Sequence, residues 1–435
     1  MMKKIILCFV CASVLVVAQA QSAKKIITAK QVKKIEKVLS ADDMQGRRTF
    51  TPGIDKASAF IEAQFKKAGL QTFNGAANYR QEFFMYQSET VTSKIVIDGK
   101  SIPDSLTAIF SYQPAVSLTD KSEVEVVKIN AGDKFGPKFY GYYQSKKNLL
   151  VLVDSSFNNR IKQILRMDKI TSTPGTNAVV FVFGAKEAST FSVDCTNNIS
   201  KKSLNNVVGI LPGKSKPDEY VVFSGHYDHL GIGSPAEGMP HDDKDSIYNG
   251  ANDDAAGTTA VIMLAKYFSK LNNNERLLIF TTFVAEELGG FGSQYFSKQL
   301  APEKVVAMFN IEMIGTESKW GANSAYITGF EKSGMGKILQ ENLKGSSFSF
   351  YPDPYPEQQL FYRSDNATLA RLGVPAHTIS TSKMDSEPNY HKASDEIGTL
   401  DMKNMAEIIK AIALSSATII SGKDTPSRVD TTQLK

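Results

Sequence analysis

Five histidines occur in the 435 residues, and all of them lie after residue 225: His226, His229, His241, His377 and His391. Carboxylates gather in the same part of the chain, in short motifs rather than runs. The order is Ser224-Gly225-His226-Tyr227-Asp228-His229, Asn249-Gly250-Ala251-Asn252-Asp253-Asp254-Ala255-Ala256-Gly257, Ala285-Glu286-Glu287, Asn310-Ile311-Glu312 and Tyr390-His391 with Asp395. Histidine with several carboxylates and no paired cysteines suits one or two hydrolytic metal ions, zinc first among them. Two ions held close together need a bridging carboxylate, terminal ligands for each and one uncommitted base, and the adjacent Glu286 and Glu287 could supply a ligand and a base. Each piece also has a plain alternative. A Glu-Glu pair can be a solvated face, His-x-Asp a structural hydrogen bond, and Asn252-Asp253-Asp254 a helix cap.

The motifs gain weight from the elements that must carry them. An apolar run at 220–224 ends in His226, a second at 277–285 ends in Glu286-Glu287, and a third at 305–314 contains Glu312. The Asn249–Gly257 motif precedes a helix expected at 258–271, where Val261, Leu264, Ala265 and Phe268 share a face. Further elements are expected as a strand at 206–211, a helix at 292–298 and a terminal helix at 402–416. Near-continuous apolar strands alternating with helices predict an α/β fold with a largely parallel central sheet flanked by helices. In such sheets the carboxyl ends of the strands form the binding crevice.

Upstream, helices are predicted at 27–39 and after Thr51-Pro52-Gly53, the second presenting Ile54, Ala57, Ile61, Phe65 and Ala68 and stopping at Gly69. The stretch 91–200 changes character. It has strand-like runs at 94–98, 124–129, 148–154 and 177–184 and no histidine, and is expected to be an inserted β-rich module. Residues 21–90 and 201–435 then form the discontinuous main domain.

Met1-Met2-Lys3-Lys4, the apolar run 5–17 and Ala18-Gln19-Ala20 have the anatomy of a secretory signal peptide cleaved after residue 20. Export to the periplasm or the extracellular medium is the expectation, with no stable membrane anchor, since the run is short for a span. Cys8 and Cys11 would leave with that segment, so the remaining Cys195 can form no internal disulfide. A net charge of +5, from 50 basic and 45 acidic residues, is a near-balance, and no basic tract interleaved with aromatics points to nucleic acid.

Together the five ordered motifs resemble metallopeptidase family 28, the di-zinc exopeptidases that include bacterial leucyl aminopeptidase and aminopeptidases S and Y. The resemblance covers residues 205–420 with the helices around 30–70. It implies a zinc exopeptidase fold, two zinc ions and peptide substrates, and the motifs leave the oligomeric state open. By resemblance, Asp253 bridges the ions, His226 and Glu312 complete one site, and Glu287 and His391 complete the other. Asp228 orients His226, the Asp253–Asp254 peptide bond is cis, and Glu286 is the general base acting on a metal-bridged water. Tyr390 stands where some relatives place a phenol facing the oxyanion.

Two departures stand out: relatives usually carry Asp where this chain has Glu312, and often His where Ser364-Asp365-Asn366 ends in Asn. The module at 91–200 occupies the place of a protease-associated domain in several relatives and is at most a diverged version. No role follows for His229, His241 or His377 beyond structural hydrogen bonds, and Asp242-Asp243-Lys244-Asp245 reads as a solvated loop before a calcium site. The expected activity is removal of N-terminal residues from peptides. Alternatives on the same scaffold are a glutaminyl cyclase-like acyltransferase, a carboxypeptidase or dipeptidase using Arg363 for the substrate carboxylate, and an inactive binding relative.

Overall fold

The computed structural model of the chain describes residues 21–233, 239 and 245–434. The signal segment 1–20, His241 and most of the acidic loop 242–245 lie outside the described residues. The chain forms two compact units, one of residues 1–82 and 204–435 and one of Phe83–Ser203. The unit boundaries fall at 82/83 and 203/204, inside two long strands, Arg80–Ile97 and Phe191–Leu211, so the expected strand at 94–98 is the end of a far longer one.

The larger unit is built on a mostly parallel sheet. Its strands are the end of β1 (Phe191–Leu211), β2 (Lys216–His226), β3 (Arg276–Phe283), β4 (Val305–Ile311), β5 (Ser324–Ile327), β6 (Ser349–Pro352) and β7 (Ala376–Ser380). The spatial order is β6-β5-β7-β4-β2-β3-β1. β3, β2, β4 and β7 run parallel, while β1 against β3 and β5 against β7 are antiparallel. The central strands are apolar along their length because both faces are covered. On one face Phe223 of β2 stacks with Phe280 and Phe309 of its neighbours and with Phe268 of the helix Ala256–Leu271. On the other face Val222, Ile279 and Met308 pack with Phe296, Phe361 and Leu369.

Helix Ala256–Leu271 is joined on its sheet face by Ala29–Leu39, Pro52–Ala68 and Met402–Ser415. Thr28 caps the first of these by accepting from the Gln31 amide, and Gly69 in a left-handed conformation closes the second. The helix after the Asp253-Asp254 motif begins at Ala256, two residues before the expected start. Strands β5, β6 and β7 had no counterpart among the expected elements, each being only four or five residues long.

In the smaller unit a four-stranded sheet orders Thr107–Ser111, Ala178–Phe183, Leu149–Val153 and Glu125–Ile129. Alternation sorts its side chains: Leu150, Leu152, Val180 and Val182 face a core with Ile95, Val116, Val193 and Cys195. Val151, Val153, Phe181 and Phe183 face another with Phe110 and Phe139. Two short helices, Phe135–Tyr143 and Ile161–Leu165, lie in a stretch where no element was expected.

Candidate metal centre

The carboxyl ends of the parallel strands deliver the motifs to one place. β2 ends at His226, β4 is followed directly by Glu312, and β3 leads two residues on into Ala285, whose positive φ turns Glu286 and Glu287 out of the strand line. Asp253 comes from the wide turn Ala251–Ala255 ahead of the long helix, and the Asp253–Asp254 bond is cis, as the resemblance implies.

Asp253 is the hub. Its Oδ1 lies 3.2 Å from His226 Nε2 and its Oδ2 3.2 Å from His391 Nε2, which is also 3.2 Å from Glu287 Oε2. His226, Asp253 and Glu312 offer donor atoms within 4.8 Å of one another, and so do His229, Asp253 and Glu287. Two mixed nitrogen and carboxylate sets sharing one aspartate fit a pair of zinc ions. The buried Nε2 of His226 supports the fit, because it faces Asp253 yet makes no hydrogen bond. Burial alone would lower the imidazoles and raise Asp253. The close carboxylates outweigh it, holding His226 far above its ordinary value and His391 at about 10, while Asp253 is held well below the carboxylate range. The surplus of negative charge calls for cations at these atoms.

His229 is the residue whose place the motifs did not foretell. It is buried, its Nδ1 lies 2.8 Å from Glu287 Oε1, and its backbone amide donates to Arg47 at 3.2 Å. Its neighbour Asp228 also works differently from the expectation. The carboxylate is 3.8 Å from His226 Nδ1, which instead faces the Asp228 backbone oxygen at 3.2 Å. The two carboxylate oxygens accept from the amides of Glu286 and Glu287 at 3.1 and 3.3 Å. Asp228 therefore fixes the backbone of the Glu-Glu pair, and burial raises its pKa to about 6.

The supports of the Asp253 turn come from distant parts of the chain. Asp395 accepts from the amides of Asn252 and Asp253, and its backbone oxygen accepts from Ala251. Asp254 accepts from the amides of His226, Gly257 and Met313, tying three strand or helix ends together. A Cβ on Gly257 would meet Ile311 O at 2.0 Å, so only glycine lets the helix approach β4 here. The fully buried Arg47 donates to the carbonyls of Tyr227, Leu39, Asn249 and Gly250. It is presented by Gln45, Gly46 and Arg47, all at positive φ, and a Cβ on Gly46 would meet the carbonyls of Gly231 and Tyr248 at 2.5 Å. The Arg47 contacts are to backbone only, which is why no side-chain motif announced them.

A cleft opens over this cluster, and Asp253, Glu286, Glu287, Glu312, Tyr390 and His391 all line it. Glu286 is half-buried, and burial with the neighbouring Glu312 and Asp365 raises its carboxyl well above the ordinary range. Asp365 is itself raised to about 7 by burial. The Tyr390 ring stacks on His391 with centroids 3.9 Å apart, and burial raises its phenol. His377 stands apart in the sheet, between Ser333 Oγ and the Thr328 carbonyl. Cys195 is buried in the smaller unit.

Comparison with known proteins agrees with this geometry. Residues 206–416 match the model of Peptidase family M28. A probable leucine aminopeptidase of Trichophyton verrucosum (strain HKI 0517) is 26% identical over 284 residues, 61% of this chain and 71% of that protein. Aminopeptidase Y of Saccharomyces cerevisiae is 28% identical over 200 residues, 41% of this chain and 35% of its own length. Among solved structures, an aminopeptidase from Aneurinibacillus sp. strain AM-1 superposes with a TM-score of 0.56 at 18% identity, covering 96% of this chain and 98% of the other. A zinc aminopeptidase from Bacillus subtilis gives a TM-score of 0.53 at 15% identity, covering 93% and 98%. At these identities the superpositions speak for the fold.

Proposed function

We propose that the chain is a di-zinc aminopeptidase releasing N-terminal residues from peptides, a reading supported by the match of residues 206–416 to peptidase family M28 and by the similarity to a probable leucine aminopeptidase. The observation that carries this reading is the convergence of Asp253, Glu287, Glu312 and His391 on one cleft, with Glu286 among its walls and His226 Nε2 3.2 Å from Asp253. His226, Asp253 and Glu312 would hold one ion, and Asp253, Glu287 and His391 the other. Bound zinc supplies Lewis acidity toward the scissile carbonyl and lowers the pKa of water.

The chain's own residues do the rest. Glu286, lining the cleft beside Glu287, takes the proton of the attacking water and delivers it to the leaving amine. Asp228 keeps its orientation by holding the Glu286 and Glu287 amides. Tyr390, lining the same cleft, donates to the developing oxyanion. Glu312, longer by one methylene than the aspartate usual in relatives, still reaches the His226–Asp253 set. The N-terminal segment 1–20 directs export, and N-terminal sequencing of secreted or periplasmic protein is expected to begin at Gln21.

The test is mass spectrometry of a peptide mixture incubated with the zinc-loaded protein, including Gln-initiated and N-acetylated peptides. Stepwise loss from free N-termini, sparing acetylated peptides and stopped by a chelator, is expected. Loss of ammonia from Gln-initiated peptides alone transfers the reading to a cyclase, and trimming from the other end to a carboxypeptidase. Glu286→Gln is expected to lower turnover by at least about a hundredfold with zinc content and fold retained. Unchanged turnover in that variant removes Glu286 as the base.

A further inference from the structure

We propose that Arg363 gives the cleft a carboxylate subsite, so that the preferred substrates are short peptides with a carboxylate close to the scissile bond. The proposal rests on the peptidase reading above. Four carboxylates line the cleft, from Asp253, Glu286, Glu287 and Glu312, and Arg363 is the permanent cation among its walls.

The side chain is placed to meet a ligand. It is exposed, its hydrogen bond runs to the neutral Gln358 Oε1 at 3.1 Å, and among the described residues no carboxylate lies within ion-pair distance. Its backbone is fixed. The Arg363 amide donates to Leu360 O at 3.1 Å, the Asn366 side chain donates to Phe361 O at 3.0 Å, and the adjacent Ser364 Oγ accepts from Asn310 at 2.8 Å. A fixed backbone with a guanidinium that has no carboxylate partner at its tip favours bidentate capture of a carboxylate. Leu360 and Met384 supply apolar wall beside it. Two sources present the required group: an acidic N-terminal side chain, or the terminal carboxylate of a dipeptide.

Three matched substrates distinguish them: Ala-Ala amide, free Ala-Ala and Glu-Ala amide. With the unmodified zinc-loaded enzyme, kcat/KM for one of the two acids is expected to exceed that for the neutral amide by about tenfold or more. In Arg363→Gln the ratio is expected to fall to about one, and Arg363→Lys to keep part of it. Preference for free Ala-Ala assigns the subsite to a terminal carboxylate, and preference for Glu-Ala amide assigns it to a side chain. Equal rates for all three, or a preference unaltered in Arg363→Gln, overturns the proposal while the aminopeptidase reading stands. Calorimetric titration of the zinc-loaded Glu286→Gln protein with the same compounds separates the two readings. If none is cleaved by the unmodified enzyme, the aminopeptidase reading fails. Tighter binding of an acid that is lost with Arg363→Gln in that background still upholds the subsite, and equal binding overturns it.

Discussion

His229 shows how one imidazole can govern a metal site through a neighbour. With its Nδ1 2.8 Å from Glu287 Oε1, it engages one oxygen of that carboxylate and leaves Oε2 facing His391. Partners of this kind orient ligands, and their removal typically weakens metal binding by about 10–100-fold. His229→Ala is therefore expected to weaken one of two zinc ions by about that factor in competition with a chromogenic chelator, the other ion staying near its original affinity. His229→Gln, whose amide can still donate, should recover much of the loss. Equal weakening of both ions would mean a general collapse of the site instead. The motif HYDH carries this residue in plain view, yet a histidine after Asp228 looks the same in sequence whether it holds a ligand or fills a core. His377, which sits between Ser333 and Thr328, is the second kind.

The elements around the site divide into those a sequence announces and those it conceals. His226, Asp253, Glu287 and Glu312 were legible because each follows or precedes a long apolar element, and the parallel order of β3, β2 and β4 brings those ends together. The short strands β5, β6 and β7 lack enough residues for a period to register, although β7 supplies Thr378 and Ser380 to the cleft wall. The turn at Gln45–Arg47 was concealed for another reason: Arg47 grips four carbonyls, two of them more than 200 residues away, and backbone carbonyls leave no trace in side-chain pattern. Burial lowers its pKa and raises that of nearby Glu36 to about 8, while Thr259 bonds the Glu36 carboxyl at 2.8 Å. Arg47→Met strips the carbonyls of Tyr227, Leu39, Asn249 and Gly250 of this donor, and a loss on the order of 3–5 kcal/mol is expected. The expected readout is a large fall in the urea midpoint of the larger unit, with zinc affinity reduced as well. An unchanged midpoint would show that water replaces the guanidinium without penalty.

For the protein as a thermodynamic body, acid and chelators are the informative probes. Burial holds His377 at about 4, whereas an unfolded histidine titrates near about 6.5. The unfolded chain therefore binds the extra proton between those values. Stability from this group is complete above about pH 6.5 and drains away as pH falls toward 4, by up to about 3 kcal/mol. The thermal midpoint of His377→Asn is expected to start lower at pH 7 and to change less than that of the parent between pH 6.5 and 4. Parallel slopes would remove His377 as the cause. Zinc binds the folded site and not a preformed site in the unfolded chain, so a chelator is expected to lower the thermal midpoint, and the shift should grow with free zinc concentration. A midpoint indifferent to zinc would contradict a site that couples β2, β3, β4 and the 390–395 segment.

The hold of Asp395 on the Asn252 and Asp253 amides also makes the centre depend on a segment far along the sequence. A nascent chain that has reached residue 312 already contains His226, Asp253, Glu286, Glu287 and Glu312, yet it lacks both His391 and the carboxylate that braces the central turn. His391 and the brace on the Asp253 turn both come from the 390–395 segment. A variant lacking residues 390–395 is thus expected to lose a donor and the brace of the Asp253 turn together.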